Sequence, residues 1–455
     1  MRGRADSVST QHSLFYFPYA QAGSNCYQSG GLGPLPIVSI TSIIVDAPTI
    51  LPLGACLMTS SVEPAKPNFA RHGESLCAPA FASRIPSLDG FRALAIGLVL
   101  LSHSIFSLRV RGMPALVFAG WLGGTGVNIF FVLSGFLITF LLLKEWDKTA
   151  QIDLRGFYVR RAFRILPPFY LLLLTIFVLQ RAHVLRLPTL EIVYSALFVF
   201  NYSTGKNTWV AHSWSLSVEE QFYLFWPLIL MLFGPIRSRR IALALIAIVP
   251  VIRIVTLLVL PENHYLVERM WMLAHTRIDM LMFGCALALF WTSQRFERMA
   301  QLFFRMGGMP MSLLVLFLVC PVLSLIWPMN FMSVAGYTMT GFAVAACIYY
   351  FVENPETILG RGLNLPLVAH LGVISYSVYL WQQLFLNEKN ITISGRLPWS
   401  LFCTILIAEF SYWCVERPSL RLRDLMNGRK KLRESTHDSF PAVTSERLRS
   451  PIVNG

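Results

Sequence analysis

Between residues 91 and 416 the chain is a series of apolar runs separated by short polar or basic segments. That series limits the fold more than any other feature. The runs fall at approximately 91–108, 126–143, 165–181, 190–202, 216–234, 240–260, 276–292, 310–328, 333–352, 366–387 and 399–416. A bilayer core takes about 20 apolar residues in a helix, and so many runs near that length do not occur in a water-soluble domain. Composition agrees, at 55% hydrophobic and 14% charged residues with mean hydropathy +0.56. The sequence therefore predicts an all-α integral membrane protein. Run 190–202 is too short to span comfortably. If it does not span and the N-terminus is cytoplasmic, the basic segments Lys144–Arg164, Arg237–Arg240, Arg295–Arg305 and Arg417–Arg433 all face inward. If it spans, Arg237–Arg240 moves outside and the pattern is spoiled. The positive-inside rule thus favours a bundle of about ten transmembrane helices with both termini cytoplasmic.

Residues 1–83 differ from the rest. They are rich in Ser, Gly, Pro and Ala, and the mildly apolar piece Leu35–Leu57 is broken by Pro36, Asp46, Pro48 and Pro52. No basic start leads into an apolar core, so no signal peptide is read here. The segment is expected to be a disordered extension, and Met58 offers an alternative start of translation. The organised domain is placed at 84–423, followed by a disordered basic tail at 424–455. Net charge is +14, with the excess lying between apolar runs and in the tail. That pattern suits orientation against an anionic bilayer rather than nucleic-acid binding. The eight cysteines show no metal-ligand spacing, so neither a zinc site nor a disulfide framework is expected.

Charged and polar residues inside apolar runs are costly in lipid and mark candidate sites. Arg92 and His103 lie eleven positions apart in the first run. This is close to three helical turns, which places both on one face roughly 16 Å apart. Arg92 is near enough to an interface to snorkel; His103 is too deep for that. Residues 150–164 interleave Leu154, Phe157, Tyr158 and Phe163 with Arg155, Arg160, Arg161 and Arg164. They read as an amphipathic cytoplasm-side helix ended by Pro167-Pro168. Arg161 and Arg164, at i and i+3, can grip one anion together; anchoring against lipid headgroups is the competing role.

A second constellation is His212-Ser-Trp214-Ser-Leu-Ser-Val-Glu219-Glu220-Gln-Phe-Tyr223. Adjacent carboxylates diverge on a helix, so only one of Glu219 and Glu220 is expected to point into the bundle, while Glu219 and Tyr223 can form an i, i+4 stripe. Arg277 and Asp279 diverge as well, and each is expected to find a partner on another span. Arg253 and Glu409 are candidates to pair with each other. Gly123-Gly-Thr-Gly126 reads as a close helix contact, and Phe131-Val-Leu-Ser134-Gly135 lacks a hydrolase elbow.

In order along the chain, Leu88-Asp-Gly-Phe-Arg92 with His103, Asn128–Ile138, Arg161-Ala-Phe-Arg164-Ile-Leu-Pro167, Trp214–Tyr223, Arg277-Ile-Asp279 and Ile374-Ser-Tyr-Ser-Val-Tyr379-Leu-Trp381 resemble the integral-membrane acyltransferase-3 family. The resemblance covers about residues 84–423. It implies a ten-helix bundle that moves an acyl group, usually acetyl, from cytoplasmic acyl-CoA to a hydroxyl of surface carbohydrate. Acceptors in the family include lipopolysaccharide O-antigen, exopolysaccharide, Nod factors, peptidoglycan and macrolides. The Arg92/His103 and Arg161/Arg164 pairs match the family's functional motifs. Gln382 stands where members often have histidine, and Leu384 where they often have proline. No extracytoplasmic hydrolase-like domain, of the kind some polymer acetylases carry, is expected within these residues.

Acyl transfer to a hydroxyl needs a base near neutral pH. His103, with Arg92 and Glu219, is the expected catalytic set; His103 either takes the hydroxyl proton or holds the acyl group transiently. Arg161 and Arg164 are expected to hold the phosphates of acyl-CoA. Trp214, Glu220, Tyr223 and Tyr379 are expected on the acceptor side. No metal is expected. The implied partners are the lipid bilayer of a bacterial inner membrane and a carbohydrate or lipid-linked saccharide. A transporter of such a saccharide or of a small solute would also use midplane polar residues; no inverted repeat is visible. A membrane sensor or scaffold would have no need of His103.

Overall fold

A computed structural model describes residues 85, 87–108, 113–203, 209–259, 269–327, 331–387, 389, 390 and 392–426. The expectations for residues 1–83 and for most of the tail lie outside them; the last helix runs on to residue 426. Among the described residues the fold is helical throughout, with no strand. The helices are α1 (Leu88–Ser107), α2 (Met113–Thr149), α3 (Leu154–Arg181), α4 (Thr189–Ala196), α5 (Ser213–Val259), α6 (Ala274–Phe290), α7 (Gln294–Arg305), α8 (Gly308–Ile326), α9 (Met332–Glu353), α10 (Ile358–Leu363), α11 (Pro366–Phe385) and α12 (Trp399–Ser411, continuing through Tyr412–Glu416). Six of them, α1, α2, α3, α5, α8 and α9, are long and apolar enough to cross a membrane. Run 190–202 forms only the eight-residue α4 and a single turn at Phe200–Tyr202, as its length required.

One expectation about a helix end is corrected. Pro167-Pro168 does not end the basic helix, because α3 runs through both prolines as one 28-residue rod. Proline removes donors and frees the carbonyls one turn back, but a membrane helix keeps its course when neighbouring groups restore the balance. Tyr376 of α11 donates to the Ile165 carbonyl at 2.9 Å and ties α3 to α11 beside this point, although the carbonyls that the prolines free are those of Phe163 and Arg164. Runs 216–234 and 240–260 are joined without a loop. Arg237-Ser-Arg-Arg240 is helical, and the change of direction is made at Gly234, where φ is +68° ahead of Pro235. Glycine adopts that backbone at no steric cost.

The core is built around α2, which packs on α1 and α6, while α1 also packs on α11 and α5 on α6. Small residues let these helices approach. A Cβ on Gly135 would fall on the Leu281 carbonyl, and one on Gly284 on the Val132 carbonyl, so α2 and α6 touch backbone to backbone. The Gly123–Gly126 stretch meets Ser102 and Ala95 of α1 in the same way, as its composition suggested. The start of α1 is pinned where the Ser87 amide donates to Asn364 Oδ1 (2.8 Å) and its hydroxyl to the Phe351 carbonyl (3.0 Å).

The charges inside the bundle are sorted by partner. Arg253 of α5 pairs with Asp279 of α6 at 2.9 Å, both wholly buried. Arg253 also donates to the carbonyls of Thr276 (2.7 Å) and Ser333 (2.8 Å). The expected Arg253–Glu409 pair is absent: Glu409 bonds His370 at 2.6 Å and accepts from the Trp413 indole at 3.1 Å on the outer face of α11 and α12. Asp279 is nearer to Arg253 because α5 and α6 are direct neighbours.

Candidate functional site

Five helices converge on one cavity of about 100 Å³. Its polar lining is Arg92 from α1, Ser134 from α2, Arg161 and Arg164 from α3, Ser215, Glu219, Glu220 and Tyr223 from α5, and Ser375, Tyr376 and Tyr379 from α11. Phe130 and Phe131 supply an apolar side. Arg161 and Arg164 are brought in as i, i+3 neighbours, as their spacing required. Arg92 is oriented by Asp89, one turn earlier, at 2.8 Å. It also lies near enough to Arg161 and Arg164 to feel both charges. The Arg161 guanidinium stands 4.9 Å from the Tyr223 ring centre. Neither Arg161 nor Arg164 has a carboxylate within 4.0 Å among the described residues.

Hydroxyl groups organise the opposite side. Ser134 donates to Glu219 Oε1 at 2.8 Å and accepts from the Tyr223 hydroxyl at 3.0 Å, which makes Glu219 and Tyr223 the expected stripe. The Tyr379 hydroxyl lies 2.6 Å from Ser215 Oγ and 3.2 Å from the His212 carbonyl. Glu220 also reaches the cavity, so the expectation of a single inward carboxylate is corrected. Adjacent helical side chains are about 100° apart, and a cavity shared by five helices is wide enough to receive both.

Two expected site residues lie elsewhere. His103 is partly buried on α1 but does not line the cavity; its ring packs against that of Phe106 at 6.3 Å. Trp214 is buried behind the cavity wall, edge-on to Phe131 (5.9 Å) and Trp271 (5.2 Å). Ser134, Ser215, Ser375 and Tyr376 were not singled out from the sequence as site residues. The available signal was a lone hydroxyl at helical spacing within an apolar run, which is weak because such hydroxyls often bond their own backbone. Among the described residues no cluster of His, Cys, Asp and Glu has the make-up of a metal site.

A cavity with three arginines, two glutamates and ordered hydroxyls inside a helical membrane bundle agrees with a family comparison. A model of an acyltransferase domain, that of the acyltransferase-3 family, matches residues 85–409. The chain belongs to the acyltransferase-3 family. That match takes in every residue lining the cavity. The acyltransferase-3 chain is 27% identical over 365 residues to the peptidoglycan O-acetyltransferase OatA of Listeria monocytogenes, covering 73% of this chain and 55% of that protein. It is 29% identical over 358 residues to YrhL of Bacillus subtilis, named provisionally for the same activity, covering 73% and 54%. A provisionally named O-acetyltransferase of Staphylococcus aureus is 28% identical over 367 residues, covering 73% and 57%. The chain thus spans about half the length of the curated relatives it matches. No solved structure matches it.

Proposed function

We propose that this protein is a membrane O-acyltransferase. It moves an acyl group, acetyl by resemblance to its family, from cytoplasmic acyl-CoA to a hydroxyl of a surface or lipid-linked carbohydrate in a bacterial inner membrane. The observation that carries the reading is the cavity that gathers Arg92, Arg161 and Arg164 opposite Glu219, Glu220 and Tyr223. Arg161 and Arg164, without close carboxylates among the described residues, and Arg92, held by Asp89, suit the phosphates and the developing negative charge of a thioester donor. The acceptor is assigned to the end of α1 that carries His103, outside that cavity.

In the transfer, the acceptor oxygen forms a bond to the acyl carbon and the carbon–sulfur bond breaks. Because His103 does not line the arginine cavity, the thioester end of the donor reaches along α1 to it; the hydroxyl proton passes to His103, which returns it to the departing thiolate so that the donor leaves as the free thiol. The proposed topology has ten spans with both termini cytoplasmic. The turn at Gly234 supports it by dividing the 47-residue α5 into two lengths that each suit a crossing. The helices α6, α11 and α12 supply the remaining crossings. Peptidoglycan is one acceptor consistent with the printed names of the relatives.

The test is label transfer from acetyl-CoA to the carbohydrate fraction of membranes containing the protein. The wild type is expected to label that fraction, and both His103→Ala and the double variant Arg161→Ala/Arg164→Ala are expected to lose the signal at matched protein levels. Saccharide crossing the membrane unlabelled would favour a transporter and overturn the reading.

A further inference from the structure

Arg277 of α6 is buried to 2% exposure beyond the cavity. Asp279 pairs with Arg253 at 2.9 Å and also lies near enough to Arg277 to feel its charge, so two guanidinium groups share one carboxylate and one positive charge is left over. One guanidinium nitrogen, Nη2, donates to Asn128 Oδ1. The other two, Nε and Nη1, have no acceptor, and neither has the Asn128 amide nitrogen Nδ2; Asn128 is wholly buried. The bond between the two side chains holds Nδ2 beside the guanidinium, so three buried donors and one positive charge share a small volume. The Tyr337 ring lies 3.8 Å from the guanidinium, Phe131 5.8 Å and Trp214 6.0 Å. These ring faces attract the cation, but they offer no lone pair to the N–H groups. Buried polar groups left without partners are uncommon and call for a missing group.

The missing group has the chemistry of an anionic oxygen acid, because planar guanidinium and amide donors match a carboxylate or phosphate. Phe131 lines the acyl cavity and Trp214 precedes Ser215, which also lines it, so the donors lie directly behind the cavity wall. Trp214 in turn meets the half-buried Trp271 edge-on. We propose that Arg277 and Asn128 form an anion subsite that receives a carboxylate or phosphate group carried by the saccharide acceptor. Only the assignment to the acceptor rests on the acyltransferase reading; the anion chemistry stands on the geometry.

The test uses the full chain in phosphatidylcholine nanodiscs without acyl donor. The unfolding midpoint is followed against glucuronate, glucose 1-phosphate and glucose, and in nanodiscs containing phosphatidic acid. Glucuronate or glucose 1-phosphate is expected to raise the midpoint in a saturable way, while glucose does not. Arg277→Gln is expected to weaken half-saturation by at least about tenfold, the usual consequence of losing a charge-assisted hydrogen bond. Asn128→Asp places a fixed carboxylate beside Arg277. It is expected to leave the ligand-free protein at least as stable as wild type and to abolish the response. Equal responses of wild type and Asn128→Asp, or stabilisation by glucose equal to that by glucuronate, would overturn the subsite. A response to phosphatidic acid alone would overturn the acceptor assignment in favour of a lipid headgroup. Loss of label transfer with the glucuronate response intact would remove the acyltransferase reading and leave the anion subsite standing.

Discussion

Replacing Ser134 tests whether the hydroxyl network around Glu219 is functional. The Ser134 hydroxyl donates to Glu219 Oε1 at 2.8 Å and accepts from Tyr223 at 3.0 Å. Ser134→Ala removes both contacts and adds no bulk. A hydrogen bond to a charged group contributes about 1.5–3 kcal/mol, and each ~1.4 kcal/mol is a factor of ten in rate. If Glu219 acts only when held in this position, label transfer should fall about 10- to 100-fold at unchanged protein level. Ser134→Thr, which keeps the hydroxyl, should retain more activity than the alanine variant. The decisive measurement is a double-mutant cycle with Glu219→Gln: residues that act through one contact give strongly non-additive losses. Wild-type activity in Ser134→Ala, or additive losses in the cycle, would refute the reasoning and reduce Ser134 to packing.

His103→Ala should abolish label transfer while the protein inserts and accumulates normally; activity comparable to wild type would remove the catalytic assignment. Arg161→Ala with Arg164→Ala should weaken the dependence on acyl-CoA more than the dependence on acceptor, which a titration of each at fixed levels of the other would show. An unchanged acyl-CoA dependence would leave the pair as an anchor at the membrane surface. Gly284→Leu should lower the unfolding midpoint of the solubilised protein, because any side chain at that position meets the Val132 carbonyl. Overpacking of this kind costs typically about 1–3 kcal/mol, and a midpoint equal to wild type would show that α2 and α6 can separate freely.

Much of the fold was legible because lipid leaves a chain few choices. A run of apolar residues near bilayer length must become a helix, since no other local structure satisfies its backbone there. Run 190–202, at thirteen residues, could not span, and it forms α4 and a turn instead. An error arose where a local rule gives way to tertiary packing. Pro167-Pro168 looked like a helix end, yet whether a proline ends a helix depends on the helices packed around it, and here one of them is α11, far away in sequence. The turn of α5 required only one glycine with positive φ, at Gly234, and a lone glycine in an apolar run carries little signal.

The site was legible residue by residue but not as an assembly. An intramembrane charge is conspicuous in any sequence, yet its meaning depends on its partner. Arg253 and Asp279 are cancelled by each other, which makes them a joint between α5 and α6. Arg92, Arg161 and Arg164 face the same cavity as Glu219 and Glu220, and the two α3 arginines remain free of close carboxylates. The Arg161 and Arg164 guanidinium groups, held near each other without such pairing, repel, and structural stability gives no reason to gather them. An anionic guest does give one, because it offers the close partner that those two lack. The helix face shared by Arg92 and His103 could be read from their eleven-residue spacing. That Arg92 joins the α3 arginines in one cavity while His103 stays outside it could not, since that depends on which helices pack at each end of α1. In the proposed reaction that division gives the donor's phosphates one end of α1 and the acceptor the other.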